Sequence, residues 1–247
     1  MFLLLGVALL SLGCAKKAAE VSDVSRGEEI FLRTPTAAKR FVPTSALACG
    51  NCHSHASRVD TALSLVRVAD RYPQMSKRDG RVNTLQDRIR GCFLRSLNGI
   101  APSDDSEEMR LLVAWCQAQR EGAPAPPAMV SEAARRPLKD LDAKRGQRSF
   151  QAKCTACHGM GGEGAGAFPP LWGPRSYNDG AGLGRVYTLG AFIHNAMPLG
   201  QAGTIAEDEA LDIALYIDSQ PRPTFDAKKS DYPGSTPPVD AIYYLAR

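Results

Sequence analysis

An all-α fold of two consecutive helical domains is what this chain predicts, on three observations. A short signature occurs twice, a similar helix precedes each copy and an amphipathic helix follows it, and a proline- and alanine-rich stretch separates the two halves. The signature is C-x-x-C-H, present as CGNCH (Cys49, Cys52, His53) and CTACH (Cys154, Cys157, His158). Its spacing lets two thioethers reach the vinyl groups on one porphyrin edge while the next residue turns its imidazole to the iron. Both copies therefore read as attachment sites, for two covalently bound haem c groups. One copy alone would fit a zinc or redox site; two copies in an exported chain, each with its histidine, argue against both. A flat apolar cofactor also replaces core that such short domains lack.

From the N-terminus, residues 2–12 (FLLLGVALLSL) form an apolar run too short to span a bilayer and about right for a secretory signal core. Gly13 and Cys14 follow, as in a bacterial lipoprotein signal, although no Lys or Arg precedes the run and Ser11 stands where an apolar residue is usual. Residues 1–20 are assigned to this signal segment, with Cys14 as a candidate lipid anchor and a cleaved soluble form or a retained helix as alternatives. Each places the body of the protein in the periplasm. The N-terminal domain, 21–120, opens with SRGEEIF (Gly27, Phe31) and closes with SEEMRLLVAWCQAQR, which carries Leu111, Leu112 and Trp115. Residues 121–140 form the linker. The C-terminal domain, 141–247, repeats the plan with KRGQRSF (Gly146, Phe150) and AEDEALDIALYIDSQ (Leu211, Ala214, Leu215, Tyr216). A Gly-x-x-x-aromatic helix crossing a terminal helix that bears an aromatic resembles the class I cytochrome c fold, where glycine permits the close crossing. The proline-rich tail from Pro221 is expected to run extended over the surface. A net charge of +4 is too slight a surplus to argue for nucleic acid.

Each iron takes a second ligand. In AFIHNAMPLG, Met197 lies well downstream of His158 and before a proline, matching the distal methionine of many class I cytochromes c, with His194 as the rival; Met160 is too near His158 to reach round the ring. Pro170 is expected to supply the carbonyl that orients His158. In the first half His55 is too close to His53 and Met109 reads as core, which leaves Met75 and Cys92 open. The helix NTLQDRIRGCFLRSLNG, capped at Asn83 or Thr84 and stopped at Asn98-Gly99, carries an apolar stripe of Leu85, Ile89, Phe93 and Leu97. Arg88, Cys92, Arg95 and Ser96 share a neighbouring face, so the thiol sits in a cationic strip beside the core. A Cys92–Cys116 disulfide is the bland alternative.

The segments RVNTLQDRIRGCFLRSLNG, PPLWGPRSYNDGAGLGRVYTLGAFIHNAMPLG and YIDSQPRP resemble the dihaem thiosulfate dehydrogenases, in the same order and over most of the chain from about Gly27 to Pro223. Those bacterial enzymes couple two thiosulfates into tetrathionate, some running the reverse reduction. The resemblance implies that Cys92 is the distal ligand of the catalytic haem and that Arg78, Arg88 and Ser96 bind substrate. Some members place a lysine just before the distal methionine; that position is Ala196 here, which implies plain His158/Met197 ligation. CGNCHSHASRVD departs from the usual glycine-bearing sequence after the first motif.

Physical chemistry agrees with that implication. Thiosulfate is a small dianion, and arginine's fixed charge and forked donors suit sulfonate oxygens, so Arg78, Arg88 and Arg95 are candidates to hold two of them. Cys92 would bond to one sulfane sulfur and then be attacked by the second thiosulfate. Two electrons would leave singly by way of both haems to a periplasmic acceptor, such as a small cytochrome c or a high-potential redox protein. Arg81 and Arg90 are expected at the surface. A passive dihaem electron carrier, and a haem-cysteine sulfur transferase requiring a partner protein, are the alternative functions.

Overall fold

Helices dominate the computed structural model, which describes residues 23–53, 63–120 and 136–245. The apolar run, Cys14, His55 and the Pro/Ala-rich stretch up to residue 135 lie outside the described residues. In chain order come α1 (residues 23–32), α2 (Thr34–Ala37), α3 (Cys49–Cys52), the hairpin β1 (Gln74–Ser76) and β2 (Arg81–Asn83), α4 (Leu85–Gly91) and α5 (Glu107–Ala118). The second half adds α6 (Ala143–Lys153), α7 (Thr155–His158), α8 (Val186–Ala196), α9 (Glu207–Asp218) and α10 (Ile242–Leu245). None of the described helices is long and apolar enough to cross a membrane.

The internal repeat has a steric cause. A methyl group at Gly27 of α1 would lie 2.3 Å from the Leu111 carbonyl oxygen of α5, and one at Gly146 of α6 would lie 2.0 Å from that of Asp212 on α9. Only glycine lets these helix pairs approach so closely. One turn further on, Phe31 stacks on Trp115 with centroids 4.1 Å apart, and Phe150 packs on Tyr216 at 5.5 Å. Each half thus has its own apolar core, one around Phe31, Phe93, Leu112 and Trp115 and the other around Phe150, Phe192, Ile213 and Ile217.

Helix α4 begins with a capping box: Thr84 Oγ1 accepts from the Asp87 N–H at 3.1 Å, and Asp87 Oδ2 accepts from the Thr84 N–H at 2.9 Å. Past Gly91 the helix widens into a π turn over Cys92–Ser96, where the Leu97 N–H donates to the Cys92 carbonyl at 2.9 Å. The wider turn rotates less per residue than an α-helix, so Arg95 falls off the apolar cavity wall that Cys92 and Ser96 share. Arg88, Cys92, Arg95 and Ser96 therefore do not all share one face.

The two halves are stitched together. Asn178 donates to the Leu94 carbonyl at 2.8 Å and to Asn98 Oδ1 at 3.0 Å, while the Ala46 N–H donates to the Arg175 carbonyl at 3.0 Å. Tyr177 and Ala181, from the second half, pack into the first core. The tail is not simply extended. It forms a 3₁₀ turn over Asp226–Ser230, builds a small cluster of Tyr232, Ala241 and Tyr244, and packs back against the first half.

Candidate functional site

Between these cores lies an apolar cavity of about 360 Å³. Cys49, Cys52 and His53 stand on its wall together with Arg88, Cys92 and Ser96 of α4 and its π turn. Of Met75, Met109 and Cys92, Cys92 alone lines it; Met109 is buried in core and Met75 is 65% exposed on β1. Cys92 and Cys116 are both free thiols, so the disulfide alternative does not hold here.

The first C-x-x-C-H is set by its surroundings. Buried Thr34 accepts from the Cys49 N–H at 3.2 Å and donates to the Ile30 carbonyl at 2.8 Å, which pins the start of α3 to the end of α1. His53 Nδ1 lies 2.7 Å from the Leu63 carbonyl. That contact keeps the proton on Nδ1 and leaves Nε2 to ligate a metal. Burial, with the charge of Arg88 assisting, pushes the His53 pKa down to about 4 despite this hydrogen bond, so the ring is neutral. Burial likewise pushes the Cys49 and Cys52 thiols up to about 12, so both are neutral. Among the described residues no group of His, Cys, Asp and Glu is arranged to hold a bare metal ion. An apolar cavity lined by two neutral thiols, one neutral imidazole and a further cysteine sulfur fits a covalently attached haem.

The second C-x-x-C-H repeats the device. His158 Nδ1 lies 2.9 Å from the Pro169 carbonyl, and burial lowers its pKa. The orienting carbonyl thus belongs to Pro169 rather than Pro170, whose carbonyl accepts from Ser176 Oγ at 3.1 Å. The two prolines are adjacent, and the sequence does not show which carbonyl faces the ring. Met197, just past α8, packs on the same apolar cluster as Cys154, Leu171 and Trp172. His194 Nδ1 lies 2.7 Å from the Ile205 carbonyl.

A polar cavity of about 450 Å³ adjoins the apolar one. Arg78, Arg88, Arg95 and Ser96 all line it, and Tyr72, Gln74, Arg88, Ser96 and Gly182 line both. Arg88 Nη1 donates to Cys92 Sγ at 3.1 Å. Its side chain is hemmed in by protein yet keeps accessible surface because it faces the cavities; the adjacent Cys92 sulfur raises its pKa, outweighing burial. Arg95 is differently placed: its fork donates to both Asp231 oxygens, at 2.8 and 2.6 Å, and its guanidinium lies 4.4 Å over the Phe225 ring. Arg81 and Arg90 bond Asp87 at 3.1 and 2.6 Å, with Arg81 the more exposed.

No motif in the sequence marks Tyr72 and Gln74 as lining residues, or Tyr177, Gly182, Leu183 and Thr188 of the second half as a wall of the first cavity. The one available signal was that PPLWGPRSYNDGAGLGRVYTLG is longer than a ligand loop needs.

Comparison with known proteins bears on the whole arrangement. Residues 143–221 match the cytochrome c family, whose domains carry covalently bound haem c. The chain is 36% identical over 227 residues to the thiosulfate dehydrogenase of Allochromatium vinosum, covering 85% of this chain and 82% of that protein. It is 37% identical over 202 residues to the thiosulfate dehydrogenase of Psychrobacter arcticus, covering 78% of this chain and 62% of that one. A solved structure, the as-isolated form of thiosulfate dehydrogenase (TsdBA) from Marichromatium purpuratum, superposes with a TM-score of 0.72 at 31% identity. It matches 83% of this chain, which spans 47% of that longer one. Likeness on this scale cannot be confined to one half, and the chain belongs to the thiosulfate dehydrogenase family of c-type cytochromes.

Proposed function

We propose that this protein oxidises thiosulfate, joining two molecules into tetrathionate at Cys92, and that it carries two haem c groups. The first would be held by Cys49, Cys52, His53 and Cys92, the second by Cys154, Cys157, His158 and Met197. When bound, the haems supply one-electron acceptors that pass electrons singly to an external periplasmic partner, such as a small cytochrome c. Cys14 would anchor the chain at the membrane.

The observation that carries this reading is the Arg88–Cys92 contact, in which Cys92 lines the apolar cavity and Arg88 lines both the apolar and the polar one. The sulfur would meet an anion that Arg88 draws in from the polar side, beside that fixed positive charge. Arg78, Arg88 and Ser96 would hold the sulfonate oxygens of thiosulfate and so bring its sulfane sulfur to Cys92. The Cys92 thiolate and one thiosulfate dianion form a sulfur–sulfur bond, giving an S-thiosulfonate on Cys92 and releasing two electrons. The sulfane sulfur of a second thiosulfate then attacks the outer sulfur of that adduct, and the Cys92 thiolate leaves as tetrathionate forms. Arg88 lies within hydrogen-bond reach of the Cys92 sulfur, so its charge would stabilise the thiolate as it leaves.

The test is ferricyanide reduction by the purified holoprotein on adding thiosulfate, with tetrathionate measured as product. Cys92→Ala should abolish turnover while both haems stay attached by their thioethers. Normal rates in that variant would overturn the proposal. No activity in the wild type would leave the passive electron carrier, and activity only with an added protein thiol would point to the sulfur transferase.

A further inference from the structure

The tail returns to the candidate site at one residue with an unusual backbone. Tyr232 has φ of 59°, a left-handed conformation that a bulky aromatic adopts only when its surroundings hold it there. Three contacts do so. Its N–H donates to the Arg78 carbonyl at 2.7 Å, its ring packs with Tyr244 at a centroid distance of 5.8 Å, and Pro233 beside it closes on Gly80, where an added methyl would meet Pro233 Cγ at 2.4 Å. Gly80 and Arg78 both lie in the turn of the β1–β2 hairpin, so tail and turn are interlocked.

The side chains continue the contact. Arg78 Nε donates to Tyr232 Oη at 3.4 Å, its guanidinium carbon lies 6.0 Å from the Tyr232 ring centroid, and its Nη1 donates to the Gly180 carbonyl at 3.1 Å. All these acceptors are neutral. Asp231, the residue before Tyr232, instead gives both of its oxygens to Arg95. The tail therefore neutralises Arg95 and merely orients Arg78. Among the described residues no carboxylate forms an ion pair with Arg78, although Asp79 beside it feels its charge, and its Nη2 has no protein acceptor while it lines the polar cavity.

We infer that Tyr232 is a positioning residue of the substrate cavity: through its contacts with Arg78 it fixes that guanidinium for an incoming sulfur oxyanion, and so sets substrate affinity. This rests on the reading of Arg78 as an anion-binding residue given above. A neutral phenol suits the task, because it removes conformational freedom from the arginine without spending its charge.

The experiment compares kcat and KM for thiosulfate, together with the Kd for tetrathionate by calorimetry, in holoprotein carrying Tyr232→Ala, Tyr232→Phe, Arg78→Gln or the Ala/Gln pair. Tyr232→Ala should raise KM and Kd about tenfold with kcat within about twofold, the size expected when a charge-assisted contact is lost. Tyr232→Phe, which keeps the ring, should restore most of the affinity. In the Arg78→Gln background, Tyr232→Ala should change nothing further. Should Tyr232→Ala fail to fold, Tyr232→Gly, which adopts the positive φ without strain, takes its place. If Arg78→Gln weakens binding but the Tyr232 variants do not, or if the two effects multiply in the double variant, the inference fails while the anion-binding reading stands. If Arg78→Gln leaves KM and Kd unchanged, that reading fails and this one with it.

Discussion

Arg78, Arg88 and Arg95 share a cavity wall yet face different partners, and the partners decide what each charge is free to do. Arg88 faces a sulfur at 3.1 Å, whereas Arg95 is spent on the Asp231 carboxylate. Replacing Arg88 by Ala should therefore lower kcat/KM for thiosulfate by about 10²- to 10³-fold, the cost of removing one preorganised donor from a site of developing charge. Lys at that position should recover only part of this, since a point charge lacks the fork. Arg95→Ala should act on stability instead. The Arg95 and Asp231 side chains are only 12% and 5% exposed, so the variant strands a buried carboxylate and should lose about 3–5 kcal/mol in urea unfolding. Arg88 beside Cys92 was legible in the sequence, because residues four apart on a helix meet. The Arg95–Asp231 pair was not, because its members lie 136 residues apart.

Each half is organised by a helix pair whose crossing depends on a missing side chain. Gly146→Ala would drive a methyl against the Asp212 backbone, where no rotamer change can relieve the clash. We expect it to destabilise the C-terminal half by about 1–3 kcal/mol, or more if α6 must shift, as read from a fall in the urea midpoint followed by far-UV circular dichroism. The Gly-x-x-x-Phe repeat made both crossings readable in the sequence. The π turn at Cys92–Ser96 was not readable: any helix-forming sequence fits either hydrogen-bond pattern locally, and the choice falls to the packing of Phe93 and Leu97 against the core. Its consequence is chemical, since it separates Arg95 from Cys92 and keeps Ser96 beside it.

Over the whole molecule, the seam between the halves holds a buried polar group. Asp218 at the end of α9 accepts from the Tyr177 hydroxyl at 3.3 Å and pairs with Arg222 at 3.4 Å, while Tyr243 Oη donates to the Asp218 carbonyl. Its Oδ2 is buried without a partner. Burial, with nearby Asp240 assisting, pushes its pKa up to about 7 against the pull of Arg222 and the Tyr177 hydrogen bond. The folded state then binds a proton that the unfolded chain releases near pH 4, so this group's contribution to stability declines as pH rises from about 4 to about 7 and levels off above. Asp218→Asn keeps the Oδ1 acceptor and should flatten that slope; urea midpoints of both proteins at pH 5 and pH 8 measure it. A wild-type midpoint whose excess decline over the variant is nil would place the carboxyl in ordinary solvent-like surroundings.

The two haem-type motifs and the Arg88–Cys92 pair were legible in the chain because each is a matter of covalent spacing or of neighbours on one helix, and the helix crossings because the glycine-aromatic pattern occurs twice. Tertiary structure alone decided that Tyr177 and Gly182 wall the first cavity, that Asp231 occupies Arg95, and that Tyr232 orients Arg78. Those contacts join positions some 80 to 150 residues apart. Nothing local marks such partners, because a phenol or carboxylate in a tail has the same intrinsic preferences wherever the chain finally returns, and only the collapse of both cores onto a common seam selects where that is.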